Sequence, residues 1–193
     1  MILLLAALAL QADEPVEDRY FIVREHVETF EVPGYTYRQF YRNVDDHGPR
    51  GKFSGFRYEL GFEGATLQRG DQCRPEGETV LLDLTFTLPA WSNYERARDR
   101  DKEAFDEVYA DQRAFLEGYA EVTRRGGYRL LQDLREVGDL PCSELQGVVD
   151  EIWGAWTDAI EEAVDIYGER AGTVPLVDTV CRETGTRARR CRN

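Results

Sequence analysis

The 193-residue chain carries 24 Lys and Arg against 37 Asp and Glu, a net charge of −13, with 42% hydrophobic and 32% charged residues. That length suits one compact domain with a real core, and that composition excludes a disordered chain. The acidic balance argues against nucleic acid or an anionic membrane as partner for the surface as a whole.

Met1 to Ala12 (MILLLAALALQA) is an uncharged apolar run followed by Asp13, Glu14 and Pro15. It is too short to span a bilayer and matches the apolar region of a secretory signal, with Ala7-Leu8-Ala9 as a cleavage candidate. The Lys/Arg segment that usually precedes such a run is missing, and the alternative is a buried N-terminal segment. We expect export, to the periplasm or beyond the cell. No cysteine follows closely enough for a lipid anchor, and no second apolar segment of membrane length occurs. After this signal, approximately residues 1–12, we expect a single α+β domain over 19–172 and a basic tail over 173–193.

Arg19 to Val32 is β-rich, as two strands or one bent strand, and ends at the turn signal Pro33-Gly34. Tyr37, Phe40, Tyr41 and Val44 fall at helical spacing, and Asp45-Asp46-His47-Gly48-Pro49 predicts a loop. Phe56, Tyr58, Leu60 and Phe62 alternate with Arg57, Glu59 and Gly61, as in a half-buried strand. The glycine-rich stretch Glu63 to Gly77 reads as a connection containing Cys73. A second alternating strand, Thr79 to Leu88, is expected to stop at Pro89. Consecutive alternating strands predict an antiparallel sheet with one face on a core.

Two long helices are expected to cover it. Asp101 to Val137 has an apolar stripe that includes Phe105, Phe115, Leu116, Tyr119, Leu130 and Leu134. Gly126-Gly127 predicts a bend or a close approach in its middle. Gly138 and Pro141 end it, and Cys142 or Ser143 opens a second helix whose stripe runs from Leu145 through Ile152, Trp153, Trp156 and Ile160 to Tyr167. Strands first and paired helices after make an α+β layout.

Mid-way along the first long helix stands Phe115-Leu116-Glu117-Gly118-Tyr119. Phe115 and Tyr119 have the spacing at which H-E-x-x-H carries its two zinc-binding histidines, and Leu116 occupies the general-base position. Neither ligands nor base are present there.

Four cysteines, Cys73, Cys142, Cys181 and Cys191, are an even number in a chain expected to be exported, which favours disulfides. Three pairings are open. Cys73–Cys142, tying sheet to second helix, and Cys181–Cys191, closing a small C-terminal loop, are preferred. The former would close a loop of about 70 residues and contribute roughly 4 kcal/mol in the chain-entropy model. No C-x-x-C spacing supports a redox motif or a cysteine zinc knuckle. Arg182, Arg187, Arg189, Arg190 and Arg192 make the tail basic, as a solvated segment or one that meets an acidic surface.

With Phe30-Glu31-Val32-Pro33-Gly34-Tyr35-Thr36, the Gly48-Pro49 turn, Gly55-Phe56-Arg57-Tyr58, Cys73, Phe86 to Trp91 and the helix holding Phe115 to Arg125, the chain resembles a bacterial family of predicted secreted zinc-dependent proteases, itself a domain-of-unknown-function family. The resemblance spans about Phe21 to Gly172. It implies H-E-x-G-H on the long helix; here that motif becomes Phe115, Leu116, Glu117, Gly118 and Tyr119, with only the glycine kept. It also implies a later histidine-bearing segment, represented by Tyr167 to Gly172 without a histidine. Zinc belongs to the family by this resemblance, but its ligands are absent, so we expect no cofactor and no catalytic residue.

Other candidates have plainer readings. Phe115, Leu116 and Tyr119 are expected to fill core space, or else to line a peptide or small-molecule cleft. Glu117 reads as a solvated helix residue, His26 as a strand residue, and Asp45, Asp46 and His47 as turn chemistry rather than a cation site. Trp91 is a candidate for a groove; Trp153 and Trp156 read as core. The expectation is an exported, non-catalytic relative acting as a binding or envelope-associated module for an unknown protein or peptide. Its alternative is an active hydrolase or metallopeptidase built on a non-standard set, with His26 or His47 and distant acidic residues.

Overall fold

A computed structural model describes residues 19–171. Along the chain run β1 (Phe21–Val32), α1 (Tyr37–His47), β2 (Gly55–Arg69), β3 (Gln72–Trp91), α2 (Asp99–Glu136), β4 (Leu140–Pro141) and α3 (Cys142–Ala171), with short 3₁₀ turns at Pro49–Gly51 and Tyr94–Arg96. The α+β layout holds: a sheet from the N-terminal half packs against helices from the C-terminal half. The expected signal over residues 1–12 and the Cys181–Cys191 loop lie outside the described residues.

The sheet is mixed rather than antiparallel. Its order is β1-β3-β2, with β2 antiparallel and β1 parallel to β3, while β4 adds a short antiparallel pair at Gln72 and Cys73. The physical reason lies in composition. β3 buries Val80, Leu82, Leu84, Phe86 and Leu88 and takes the centre, while β1, with Arg24, Glu25, His26 and Glu28, is tolerated at an edge. β1 is one continuous strand.

Three boundaries differ from expectation. The stretch 63–77 is not a loop: β2 and β3 run on as a hairpin to a two-residue turn at Gly70-Asp71, where Gly70 has φ +66°. Gly77, at φ +69°, stands where the register shifts between Glu63 and Ala65, so that two residues of β3 face one of β2. β3 also continues past Pro89 to Trp91. The amides of Val80 and Ser92 donate to Tyr20 and Val32 on the β1 side, so alternation turns the nitrogen of Pro89 to the β2 side, where pairing has already ended at Gly55 and Thr87. A missing N–H costs no ladder bond there. Finally, Asp45 to His47 belong to α1, whose last turn closes through Gly48 N–H donating to Val44 O.

Thr36 caps α1, its hydroxyl accepting from the Gln39 amide, and Asp101 Oδ1 of α2 accepts the Tyr37 amide at 3.3 Å. Phe40, Val44, Val32, Trp91 and Phe105 then form an aromatic-rich core at this end, with Trp91 Nε1 donating to Gly34 O at 2.6 Å. α2 is a single 38-residue helix through Gly126-Gly127. Its glycines serve close approach: a β-carbon on Gly126 would overlap Ile160 of α3, and one on Gly127 would lie 2.9 Å from the Phe21 ring. One face of α2, with Leu116, Ala120, Leu130, Leu131 and Leu134, lies on the sheet. Another meets α3. The Cys73–Cys142 disulfide, with Cα atoms 4.7 Å apart, joins the start of β3 to the start of α3 as expected.

Candidate functional site

Where the spacing suggested a catalytic motif, the structure brings Phe115, Gly118 and Tyr119 of α2 against Tyr167 and Gly168 of α3. The Phe115 ring lies 5.0 Å from that of Tyr119 and 5.7 Å from that of Tyr167; the two tyrosine rings are 4.8 Å apart and nearly perpendicular. Phe56 of β2 stacks on Tyr119 at 5.3 Å. Edge-to-face and stacked contacts at these separations are each worth about 0.5–1.5 kcal/mol beyond the area they bury.

The two helices interlock through their glycines. A β-carbon on Gly118 would overlap the Tyr167 hydroxyl, and one on Gly168 would overlap the Tyr119 hydroxyl. Each phenol therefore rests on the bare backbone of the opposite helix. Tyr167 Oη also donates to the Phe115 carbonyl at 3.3 Å. Burial, and then the neighbouring Tyr119, pushes the Tyr167 phenol up to about 12. Burial, and then Asp165, raises Tyr119 as well. Both are neutral phenols at physiological pH.

Leu116 does not join them. It is 2% exposed and faces the sheet among Leu82, Leu84, Phe86 and Leu88, one helical step round from Phe115. Phe115 and Tyr119 pack against that same cluster and reach Tyr167 of α3 as well. Glu117 is on the surface, 3.9 Å from Arg113 and 3.6 Å from Arg124. Arg124 also pairs with Glu25 of β1 and Glu121, so one guanidinium gathers carboxylates from β1 and α2.

The remaining candidates are scattered. His26 lies exposed on β1, its Nε2 3.9 Å from Asp83, and Asp45, Asp46 and His47 are exposed on the last turn of α1. Trp91 is buried in the α1 core. Trp156 donates Nε1–H to Asp133 at 2.6 Å, while Trp153 packs beside Phe62. Among the described residues no group of three or more His, Cys, Asp or Glu is placed to hold a metal ion. A zinc ion does not fit Phe115, Leu116, Tyr119 and Tyr167, which offer ring carbons, an alkyl group and two neutral phenols in place of imidazole, thiolate or carboxylate donors.

Sequence reasoning named Phe56 without linking it to this cluster and missed Thr123. The first is readable only as a core-facing strand position. The second is fully buried, its hydroxyl donating to Tyr119 O at 2.8 Å and shared with Ala120 O at 3.1 Å, so it needs no partner off the helix.

No helix among the described residues is long and apolar enough to cross a membrane. No match to a curated protein or to a solved structure was found. The family described as bacterial protein of unknown function (DUF922) matches residues 27–172, a description that carries no activity and narrows the protease-like resemblance to membership alone. The chain, with an aromatic interlock where that resemblance leads one to look for a catalytic motif, belongs to the DUF922 family.

Proposed function

We propose that this protein is a non-catalytic, exported relative of secreted zinc-dependent proteases, acting as a binding or envelope-associated module in the periplasm or outside the cell. The observation that carries this reading is the reciprocal seating of Tyr119 on Gly168 and Tyr167 on Gly118. Those rings take up the space between α2 and α3 in which ligands, a metal and a water would have to stand. With both phenols held protonated, neither oxygen serves as an anionic ligand or as a base near neutral pH. His26 and His47 sit exposed on separate elements, so nothing favours the alternative of a hydrolase assembled from them.

Elemental analysis of the mature, oxidised protein, purified without chelators or a His-tag, tests the proposal. The expected result is no bound zinc, and near-stoichiometric zinc would overturn the reading. A companion variant, F115H/Y119H/Y167H, supplies three imidazoles at the clustered positions and is expected to gain about one zinc per chain, the number a three-ligand site holds. Leu116→Glu is left out of it because a carboxylate there would be buried unpaired against the sheet, at a cost of several kcal/mol.

A further inference from the structure

The edge of the sheet away from the hairpin carries a second feature. Among the described residues β1 pairs with β3 alone, along its whole length from Phe21 to Val32. The amides of Val80 and Ser92 donate to the carbonyls of Tyr20 and Val32, so the even-numbered residues of β1 turn their backbone groups to β3. Alternation aims those of Val23, Glu25, Val27 and Thr29 out of the sheet. Such a row is a template for a further strand.

Side chains leave this edge open. The odd-numbered residues face α2, where Phe21 and Val23 join the core, yet Val27 is 52% exposed, so the helix leaves the middle of the strand uncovered. The even-numbered ones lie on the other face of the sheet. There Arg24, His26 and Glu28 are exposed beside Asp83 of β3 and Arg57 of β2.

The order of residues in β1 selects a second copy of itself. Residues equidistant from His26 are complementary: Arg24 with Glu28, opposite in charge, and Ile22 with Phe30, both apolar. An antiparallel copy centred on His26 sets these pairs directly across from each other. It also sets outward-facing Val23 against Thr29 and Glu25 against Val27, so the outward backbone groups meet partners. Other registers lose the match. Centring on Glu25 places that carboxylate against itself, and centring on Val27 puts Arg24 opposite Phe30. A centre midway between two residues sets an outward-facing residue opposite one that faces β3, which breaks the ladder. With His26 on the axis the charges alternate across the join: Arg57 and Glu28 of one copy are followed by Arg24 and Asp83 of the other. Within one chain the two outer pairs already stand at 3.8 Å and 3.9 Å.

We propose that two copies of this chain pair through β1, antiparallel about a two-fold axis at His26, into one continuous sheet ordered β2-β3-β1-β1-β3-β2. This goes beyond the non-catalytic reading and does not depend on it.

Sedimentation equilibrium of the full oxidised chain, over about 1–200 μM, tests it; the expected result is a monomer–dimer equilibrium in about the micromolar range, as suits a small interface. R24E and E28R each set like charges against each other at both ends of the join, and each is expected to weaken dimerisation at least about tenfold. An equimolar mixture of the two restores opposite charges at both ends and is expected to associate as tightly as the parent. V27P withdraws an outward N–H without removing a bond to β3 and is expected to be monomeric. Far-UV circular dichroism shows which variants are folded, and the charge variants, at exposed positions, carry the test if V27P is not. A parent that stays monomeric, charge variants that dimerise as the parent does, a folded V27P that still dimerises, or a mixture no tighter than its components would overturn the proposal. Zinc content is indifferent to all of these outcomes, so the two readings fail separately.

Discussion

At Gly118 and Gly168 the distance between two helices is set by atoms that are absent. A methyl group on Gly118 would occupy the place of the Tyr167 hydroxyl, so G118A forces either the ring or the helix to move. Overpacking of this kind destabilises by about 1–3 kcal/mol, measurable as a lowered urea midpoint. Tyr167 Oη, Cζ and Cε2 all crowd that position, so Y167A, which removes all three, is expected to recover part of that loss in the double variant. Additive losses in the double-mutant cycle would refute the interlock. The same phenol makes stability pH-dependent. Its pKa rises from 10.0 to about 12 on folding because burial disfavours the phenolate, so the folded chain holds the proton more tightly than the unfolded one. Its contribution is therefore complete below pH 10 and lost as pH climbs through about 12. Urea midpoints should fall more steeply between those values in the parent than in Y167F, and parallel curves would sink the assignment.

Between elements, the disulfide and the helix crossing do different work. Cys73–Cys142 spans a sequence separation of 69 and lies where β4 pairs with β3 and where the Cys142 amide donates to Asp71 O at 3.0 Å. A loop of that length implies about 4 kcal/mol of stabilisation in the chain-entropy model. C73A/C142A is expected to lose stability of that order, with amide exchange rising first in β4 and the first turn of α3. Exchange rising first at the α2–α3 crossing would contradict that location. The crossing itself depends on Gly126 receiving Ile160, and on the Tyr119–Tyr167 interlock further along. Asp101 ties a third helix in by accepting the Tyr37 amide at the N-terminus of α1, where a carboxylate also meets the helix dipole favourably.

For the molecule as a whole, a net charge of −13 means that carboxylates outnumber their possible partners. Surface pairs such as Arg24–Asp83 and Arg57–Glu28, each beyond 3.7 Å and more than a third exposed on both sides, contribute little against that excess. Net repulsion destabilises the compact state and is screened by salt. Raising NaCl from 20 mM to about 0.5 M is expected to raise the thermal midpoint by about 2–4 °C, on the scale of 1 kcal/mol for a domain of this size. A lower midpoint in salt would show instead that ion pairs, with Arg124 and its carboxylates foremost, dominate the balance.

Period and composition were enough to read the elements: alternation in Phe56 to Phe62 and Val80 to Leu88 marks strands, and the stripe from Phe105 to Leu134 marks a long helix, because burial on one face leaves its period in the chain. Cys73 and Cys142 were legible as partners for the same kind of reason, since few cysteines leave few pairings. Strand order was not, because β1 meets β3 through backbone bonds between distant residues that carry no side-chain period. Nor could the sequence say that Leu116 would be buried among the side chains of β3 while Phe115 and Tyr119, packed against the same cluster, would also meet α3. An apolar period says that a surface is buried and is silent on what buries it. Only the packing of α3 across α2 decided that Tyr167 meets Tyr119.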